Sequence, residues 1–138
     1  MTADLSGTRA RLQARALTIA LRAADITVEL TQQATSRRSG ALANSIQHTQ
    51  PAFLSDAIVA TWITAGAPYA RWQDEGTGIY GPTGARIFPR TARVLRFDWP
   101  AAGGVVFARS VAGAPGRHYF KEPMPLRWRT SLAQVVGG

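Results

Sequence analysis

The segment from about residue 5 to residue 35 constrains the fold most, because its apolar residues recur with helical spacing throughout. One strip alternates in steps of four and three, which places its members on one helical face: Leu12, Ala16, Ile19, Ala23, Ile26 and Leu30. A second strip lies beside it: Leu17, Leu21, Ala24 and Val28. Thirty helical residues span about 45 Å, which is long for a chain of 138 residues. We predict either a helix with one end projecting to meet a neighbouring subunit, or a helix that breaks near Thr27 and packs entirely on its own domain.

The rest of the chain predicts short elements of both kinds. After a break at 36–40, Ser39 or Gly40 can cap a helical turn over 41–46. Residues 57–64 alternate with large side chains on both sides, which predicts a strand covered on two faces. A hairpin is expected from 93–99 and 105–111, and a helix from 123–136. The predicted architecture is one α+β domain over 1–138, with the long helix in 1–35, a small antiparallel sheet and long loop in 57–111, and the C-terminal helix in 118–136.

The charge of the chain is strongly positive. Sixteen basic residues face eight acidic ones, for a net charge of +8, and Lys121 is the only lysine. Arginine suits interfaces because its planar guanidinium binds carboxylate or phosphate with two hydrogen bonds, although a GC-rich genome would produce the same bias. The arginines are spread along the chain without a block of like charges. The basicity therefore fits a surface near DNA or one that faces acidic partners.

Several classes of chemistry lack support in the sequence. Without cysteine there are no disulfides or thiolate metal sites. No run of about 18 apolar residues predicts a membrane helix, and no signal peptide is expected. His48 and His118 have no partners at metal-ligand spacing, and the G-x-G-x-x-G match at 76–81 is followed by prolines rather than by a helix. We therefore expect no enzyme activity, no metal and no cofactor.

Two further groups of side chains have structural interpretations. Asp74 and Glu75 are adjacent, so their side chains point in different directions and make a poor catalytic pair; salt bridges to Arg71, to the arginines of the following loop or to an adjacent subunit are favoured. The tryptophans are interleaved with arginines, which suits base stacking, but packing in a core or an interface is favoured. They are Trp62, Trp72, Trp99 and Trp128.

Four motifs occur in a recognisable order. Residues 39–46 (SGALANSI) follow a T/S-G-x-L-x-x-S-I pattern, and residues 67–78 (APYARWQDEGTG) are close to P-Y-A-x-x-x-E-x-G-T. Residues 87–97 (IFPRTARVLRF) match I-x-P-x followed by L-x-F, and residues 111–120 (VAGAPGRHYF) look like V-x-G-x-x-x-x-x-F with one additional residue before Phe120. Over residues 36–136 the chain resembles the gene-product-ten-like morphogenesis family of long-tailed bacteriophages, whose members are head–tail joining or tail-completion proteins.

The resemblance implies an antiparallel sheet flanked by helices in a subunit that forms a ring, usually six-fold, around the DNA channel. Such a subunit would be made in the host cytoplasm and reside in the virion, with other copies of itself, other neck and tail proteins and the channel DNA as partners, and no membrane. The alternatives are a minor capsid or tail-tube-related protein, or a basic DNA-binding module. One departure from the motif is that Glu75 and Gly76 are adjacent where the family has a residue between them, so either Asp74 or Glu75 can correspond to the acidic residue of the family.

The predicted subunit interface is centred on the loop from Gly76 to Arg90, whose glycines permit ordering on assembly. Closed rings use head-to-tail contacts, and these need apolar anchors and paired charges. The predicted interface residues are Tyr69, Arg71, Trp72, Asp74, Glu75, Gly76, Thr77, Gly78, Ile79, Tyr80, Ile87, Phe88 and Arg90. The candidates for contact with channel DNA or acidic partners are Arg86, Arg93 and Arg96.

Overall fold

The computed structural model describes residues 5–35 and 40–137. The helices are α1 (Leu5–Ala34), α2 (Ala41–Asn44), α3 (Ala70–Glu75) and α4 (Met124–Gly137). The strands are β1 (Ile46–His48), β2 (Ala52–Ser55), β3 (Ile58–Ala60), β4 (Ile63–Ala65), β5 (Leu95–Trp99) and β6 (Gly104–Ala108), with 3₁₀ turns at Gly78–Tyr80 and Pro100–Ala102. The predicted α+β class, with a long helix first and a helix last, is confirmed. The predicted break at 36–39, with Ser39 as a cap, lies outside the described residues, and Gly40 precedes α2 with a φ of 71°.

Contacts divide the described residues into two compact units. The helical unit contains the described residues up to Pro68 together with those from Tyr119 onward. The loop unit is Tyr69–His118.

Helix α1 runs without interruption from Leu5 to Ala34, so the predicted break near Thr27 is wrong. The residues of its first turns, 5–12, are exposed, with Leu5 and Leu12 at 72% and 63%, and Arg9 forms a salt bridge of 2.8 Å with Asp56, which follows β2. The structure thus shows the long, unbroken helix of the alternative prediction, and the meeting of one end with a neighbouring subunit stays a prediction.

The buried stripe of α1 lies between the centres of the two predicted apolar strips and includes one residue of each, Ala23 and Ala24, while the other members of the strips are mostly half-buried. The buried residues are Ala20, Ala23, Ala24, Thr27 and Thr31. All five are small or medium in size, which lets α4 pack closely against α1. Hydrophobicity alone did not indicate this stripe, because two of its members are threonines.

Side-chain hydrogen bonds join α1 to α4. The Thr27 hydroxyl lies 2.7 Å from Ser131 Oγ, and the Ser131 hydroxyl donates to the Arg127 carbonyl at 2.8 Å. The Arg127 guanidinium donates to Thr31 Oγ1 at 3.3 Å and to the Tyr119 carbonyl. Thr27, Thr31 and Ser131 are completely buried, so each hydroxyl needs these partners to offset the cost of leaving water.

Within residues 5–35 and 40–137, the strands form three antiparallel pairs and not the one small sheet that was predicted: β1 with β4, β2 with β3, and β5 with β6. The predicted single strand at 57–64 is wrong, since β3 and β4 are separate strands that pair with different partners. Ile58 and Trp62 are 56% and 69% exposed, so this segment is not covered on both faces.

A histidine–carboxylate pair connects α1 to β1. His48 Nε2 lies 2.7 Å from Asp25 Oδ1, and His48 Nδ1 lies 2.7 Å from the Thr49 carbonyl oxygen. Partial burial lowers the pKa of His48, but the Thr49 carbonyl and the Asp25 carboxylate outweigh that effect, and the pKa lies above its ordinary value of 6.5. The charged imidazolium can donate to both oxygens at once, whereas the neutral ring can donate to only one.

Candidate subunit interface

Helix α3 opens the loop unit and places the two adjacent carboxylates in different surroundings. Glu75 Oε2 pairs with Arg71 Nε at 2.9 Å, one helical turn apart, and the Arg71 side chain is 69% exposed. Asp74, by contrast, is buried. The salt bridge expected between Arg71 and the acidic pair therefore forms with Glu75.

Two distant segments of the loop unit, 73–79 and 111–118, run together and form what we call the glycine clasp. The Thr77 and Ile79 amides donate to the Ala114 and Ala112 carbonyls, each at 2.8 Å. At the other end of the clasp, the Arg117 amide donates to the Gln73 carbonyl at 2.8 Å and the His118 amide to the Asp74 carbonyl at 3.0 Å. Each of these segments carries one of the four motifs described above, and the fold joins them through backbone atoms.

The clasp requires glycine because the two backbones touch. A Cβ atom on Gly78 would overlap the Ala112 carbonyl oxygen, and a Cβ on Gly113 would overlap the Thr77 carbonyl oxygen. Both glycines also have positive φ angles, +63° and +94°. The role of these glycines is therefore to allow close backbone approach.

Beyond the clasp, the loop at 79–94 exposes its apolar side chains. Phe88 is 62% exposed, Tyr80 50% and Ile79 43%. The loop is held at its middle, where Ile87 and Val111 exchange backbone hydrogen bonds of 2.9 and 3.0 Å, and where Arg86 Nε donates to Ser110 Oγ at 3.0 Å. The side chains predicted as apolar anchors, Ile79, Tyr80, Ile87 and Phe88, therefore lie on a backbone that hydrogen bonds hold in place.

Strands β5 and β6 form a five-residue hairpin with one half-buried face and one open face. Leu95 and Phe97 of β5 are half-buried, while Arg96 and Asp98 are exposed. In the antiparallel register Arg96 faces Phe107 and Asp98 faces Val105. Val105 and Phe107 are 50% and 63% exposed, so the open face has an apolar half and a charged half.

The loop unit buries no large apolar side chain. In 69–118, all of which the structure describes, the buried residues are Ala70, Asp74, Gly76 and Gly78. Trp72 and Trp99 are 58% and 52% exposed, as is Trp62 of the helical unit at 69%, so these tryptophans do not pack in a core. The exposed residues of β6, Val105 and Phe107, were not predicted to belong to the interface. Their alternating pattern is that of any hairpin strand with one half-buried face, so it does not indicate an interface.

Arginines dominate the charge of the loop unit, with seven against three acidic residues, and none of those three lies in 76–97. Within the described ranges, no ion pair involves any of the four arginines of this segment, which are Arg86, Arg90, Arg93 and Arg96. Four exposed guanidinium groups thus remain available to an anionic partner.

A search for metal sites finds no group of three or more histidine or acidic side chains suited to a metal ion among residues 5–35 and 40–137. In the same part of the chain, no helix is both long enough and apolar enough to cross a membrane. Comparison with protein-family models, curated proteins and solved structures returns no match. The resemblance to the phage family remains a prediction based on the four motifs.

Proposed function

We propose that the chain is a structural virion protein of a long-tailed bacteriophage, a ring-forming subunit at the head–tail junction or the tail end. The observation that carries the proposal is that the loop unit buries no large apolar side chain while exposing Tyr80, Phe88, Trp99 and Phe107. Exposed apolar surface on this scale is typical of protein–protein interfaces. A subunit whose apolar side chains become buried only on contact with its neighbours would have such an exposed surface.

The glycine clasp supports a head-to-tail contact of the kind that closes a ring. The clasp joins the two ends of the segment 79–112, which we call the excursion, through backbone hydrogen bonds. The excursion can therefore contact a neighbouring subunit while its ends stay fixed. The apolar anchors Ile79, Tyr80, Ile87 and Phe88 and the guanidinium of Arg90 lie on this excursion. A cyclic assembly also requires a second, different surface on each subunit, and the exposed first turns of α1 are our candidate for it.

Two measurements test the proposal. Native mass spectrometry of the purified chain, at rising concentration, should show a closed oligomer at the highest concentrations, with six copies expected. Mass spectrometry of purified virions should then detect the chain at a few copies per particle, and a phage lacking the gene should accumulate heads and tails that do not join. Its absence from finished particles, together with normal particles from the phage lacking the gene, would rule the proposal out.

A second candidate function, DNA binding, is favoured by the run from 76 to 97, which has four arginines and no acidic residue. In the ring this surface would face the channel DNA. Each phosphate contact contributes about 0.9 to the slope of log affinity against log salt. The triple variant R86A/R93A/R96A should therefore lower that slope by about 2.7 in a titration with duplex DNA.

A matched control removes the same charge elsewhere. Arg11, Arg15 and Arg22 are exposed on α1, so R11A/R15A/R22A has the same net charge as the test variant. If both triple variants change the slope equally, DNA binding reflects net charge alone and the run at 76–97 is not a DNA site.

A further inference from the structure

The outer edge of β5 is an unpaired sheet edge. In the part of the chain that the structure describes, β5 pairs with β6 alone, in a sheet of two strands. A two-stranded hairpin is marginally stable, and a third strand or further packing strengthens it. Proteins usually protect such an edge with proline or with charges that repel a second strand. The edge of β5 carries instead one charge of each sign, Arg96 and Asp98.

The sequence of β5, Leu-Arg-Phe-Asp-Trp, is complementary to itself when two copies run antiparallel. Centring the pair on Phe97 places Arg96 of each copy opposite Asp98 of the other. The same register places Leu95 opposite Trp99, which is 52% exposed in the single chain. Opposite charges and aromatic–aliphatic contacts are favourable cross-strand pairs.

The neighbouring symmetric registers are unfavourable. Centring on Arg96 places two guanidinium groups opposite each other, and centring on Asp98 does the same with two carboxylates. Like charges directly opposite destabilise a sheet. The charges of β5 therefore select one register out of three.

We propose that two copies of the chain pair through their β5 edges, in the register centred on Phe97, to form a four-stranded sheet with two-fold symmetry. This goes beyond the proposed function, because a two-fold contact uses the same surface on both copies whereas a cyclic ring uses two different ones. The pair is the form of the chain outside the ring, and it covers an edge that would otherwise attract other strands.

Charge exchange tests the pairing. R96D places carboxylates opposite carboxylates, and D98R places guanidinium groups opposite each other, so each variant alone should dimerise at least about tenfold more weakly than the natural chain in sedimentation equilibrium. An equimolar mixture of the two variants should recover the dimer, as should R96D/D98R by itself. Both residues are exposed, so all three variants should keep the natural circular dichroism spectrum.

Disulfide trapping tests the register. The natural chain has no cysteine, so every disulfide comes from an introduced residue. Oxidation of mixed R96C and D98C proteins should give a heterodimer in preference to either homodimer, because each position faces the other across the two-fold axis. A natural chain that shows no dimer, a mixture of charge variants without recovery, or equal trapping of all three disulfide pairs would each overturn the proposal. None of these outcomes depends on whether a larger ring forms.

Discussion

At the scale of single residues, two glycines with nearly the same φ angle allow two effects of an added side chain to be compared: backbone strain, which both would share, and steric overlap, which only one would have. Gly78 and Gly84 have φ angles of +63° and +62°. A Cβ on Gly78 would overlap the opposite backbone of the clasp, whereas a Cβ on Gly84 would meet nothing within 4 Å. We expect Gly78→Ala to lower the free energy of unfolding by about 2 kcal/mol more than Gly84→Ala. Urea denaturation measures the difference, and equal losses would mean that the clasp is not closely packed in solution.

His48 gives the helical unit a dependence on pH. Because its folded pKa is raised above 6.5 by the Thr49 carbonyl and Asp25, the stabilisation is fully present below pH 6.5 and is lost as the pH rises through the folded pKa. The free energy of unfolding should therefore be greater at pH 6 than at pH 8. His48→Gln should reduce this difference. Thermal denaturation at both pH values provides the measurement, and a natural chain with no difference would contradict the assignment.

At the scale of elements, the contact between α1 and α4 depends on small side chains. Ala24 is completely buried on the stripe that faces α4, so Ala24→Leu should overpack the contact and cost about 1–3 kcal/mol. Ala14 is exposed on the same helix, and Ala14→Leu should change stability by less than about 0.5 kcal/mol. Chemical denaturation followed by circular dichroism compares the two variants. Tolerance of leucine at position 24 would show that the helices are not closely packed.

The elements also show which patterns in the sequence were informative. Helical spacing over thirty residues predicted α1, and alternation around Pro100–Gly104 predicted the hairpin, because both are local patterns. The paired strands in 46–65 were missed because β1 and β2 are three and four residues long and their pairing depends on distant partners. The buried stripe of α1 was not predicted as such, because Thr27 and Thr31 belong to it. Their hydroxyl groups form hydrogen bonds within the fold, which no hydropathy scale takes into account.

The same limit applies to the candidate site. The motifs at 67–78 and 111–120 were visible in the sequence, but their joining through backbone hydrogen bonds was not, because backbone contacts leave little trace beyond glycine. Tyr80 and Phe88 are exposed, and their role as apolar anchors stays a prediction. The open face formed by Val105 and Phe107 was not predicted.

At the scale of the whole molecule, assembly should depend on the anchors of the loop unit rather than on exposed apolar residues in general. Y80S/F88S should leave the monomer folded and prevent ring formation, because both side chains are exposed and neither supports the fold of a single chain. Leu126→Ser on α4 alters a side chain that is 69% exposed in the helical unit, and it should assemble normally. Native mass spectrometry compares the variants, and equal loss of assembly in both would move the interface away from the loop unit.

The glycine clasp also affects how this protein can change over evolution. Because the glycine clasp joins the two ends of the excursion between Ile79 and Ala112, residues can be inserted or removed between those ends without disturbing the clasp itself. The entropic cost of a longer closed loop grows only slowly with its length, by about 0.6 kcal/mol for each doubling. Related chains can therefore differ widely in the reach and sequence of this excursion while keeping the glycines at its base, and they would diverge fastest where they meet different partners.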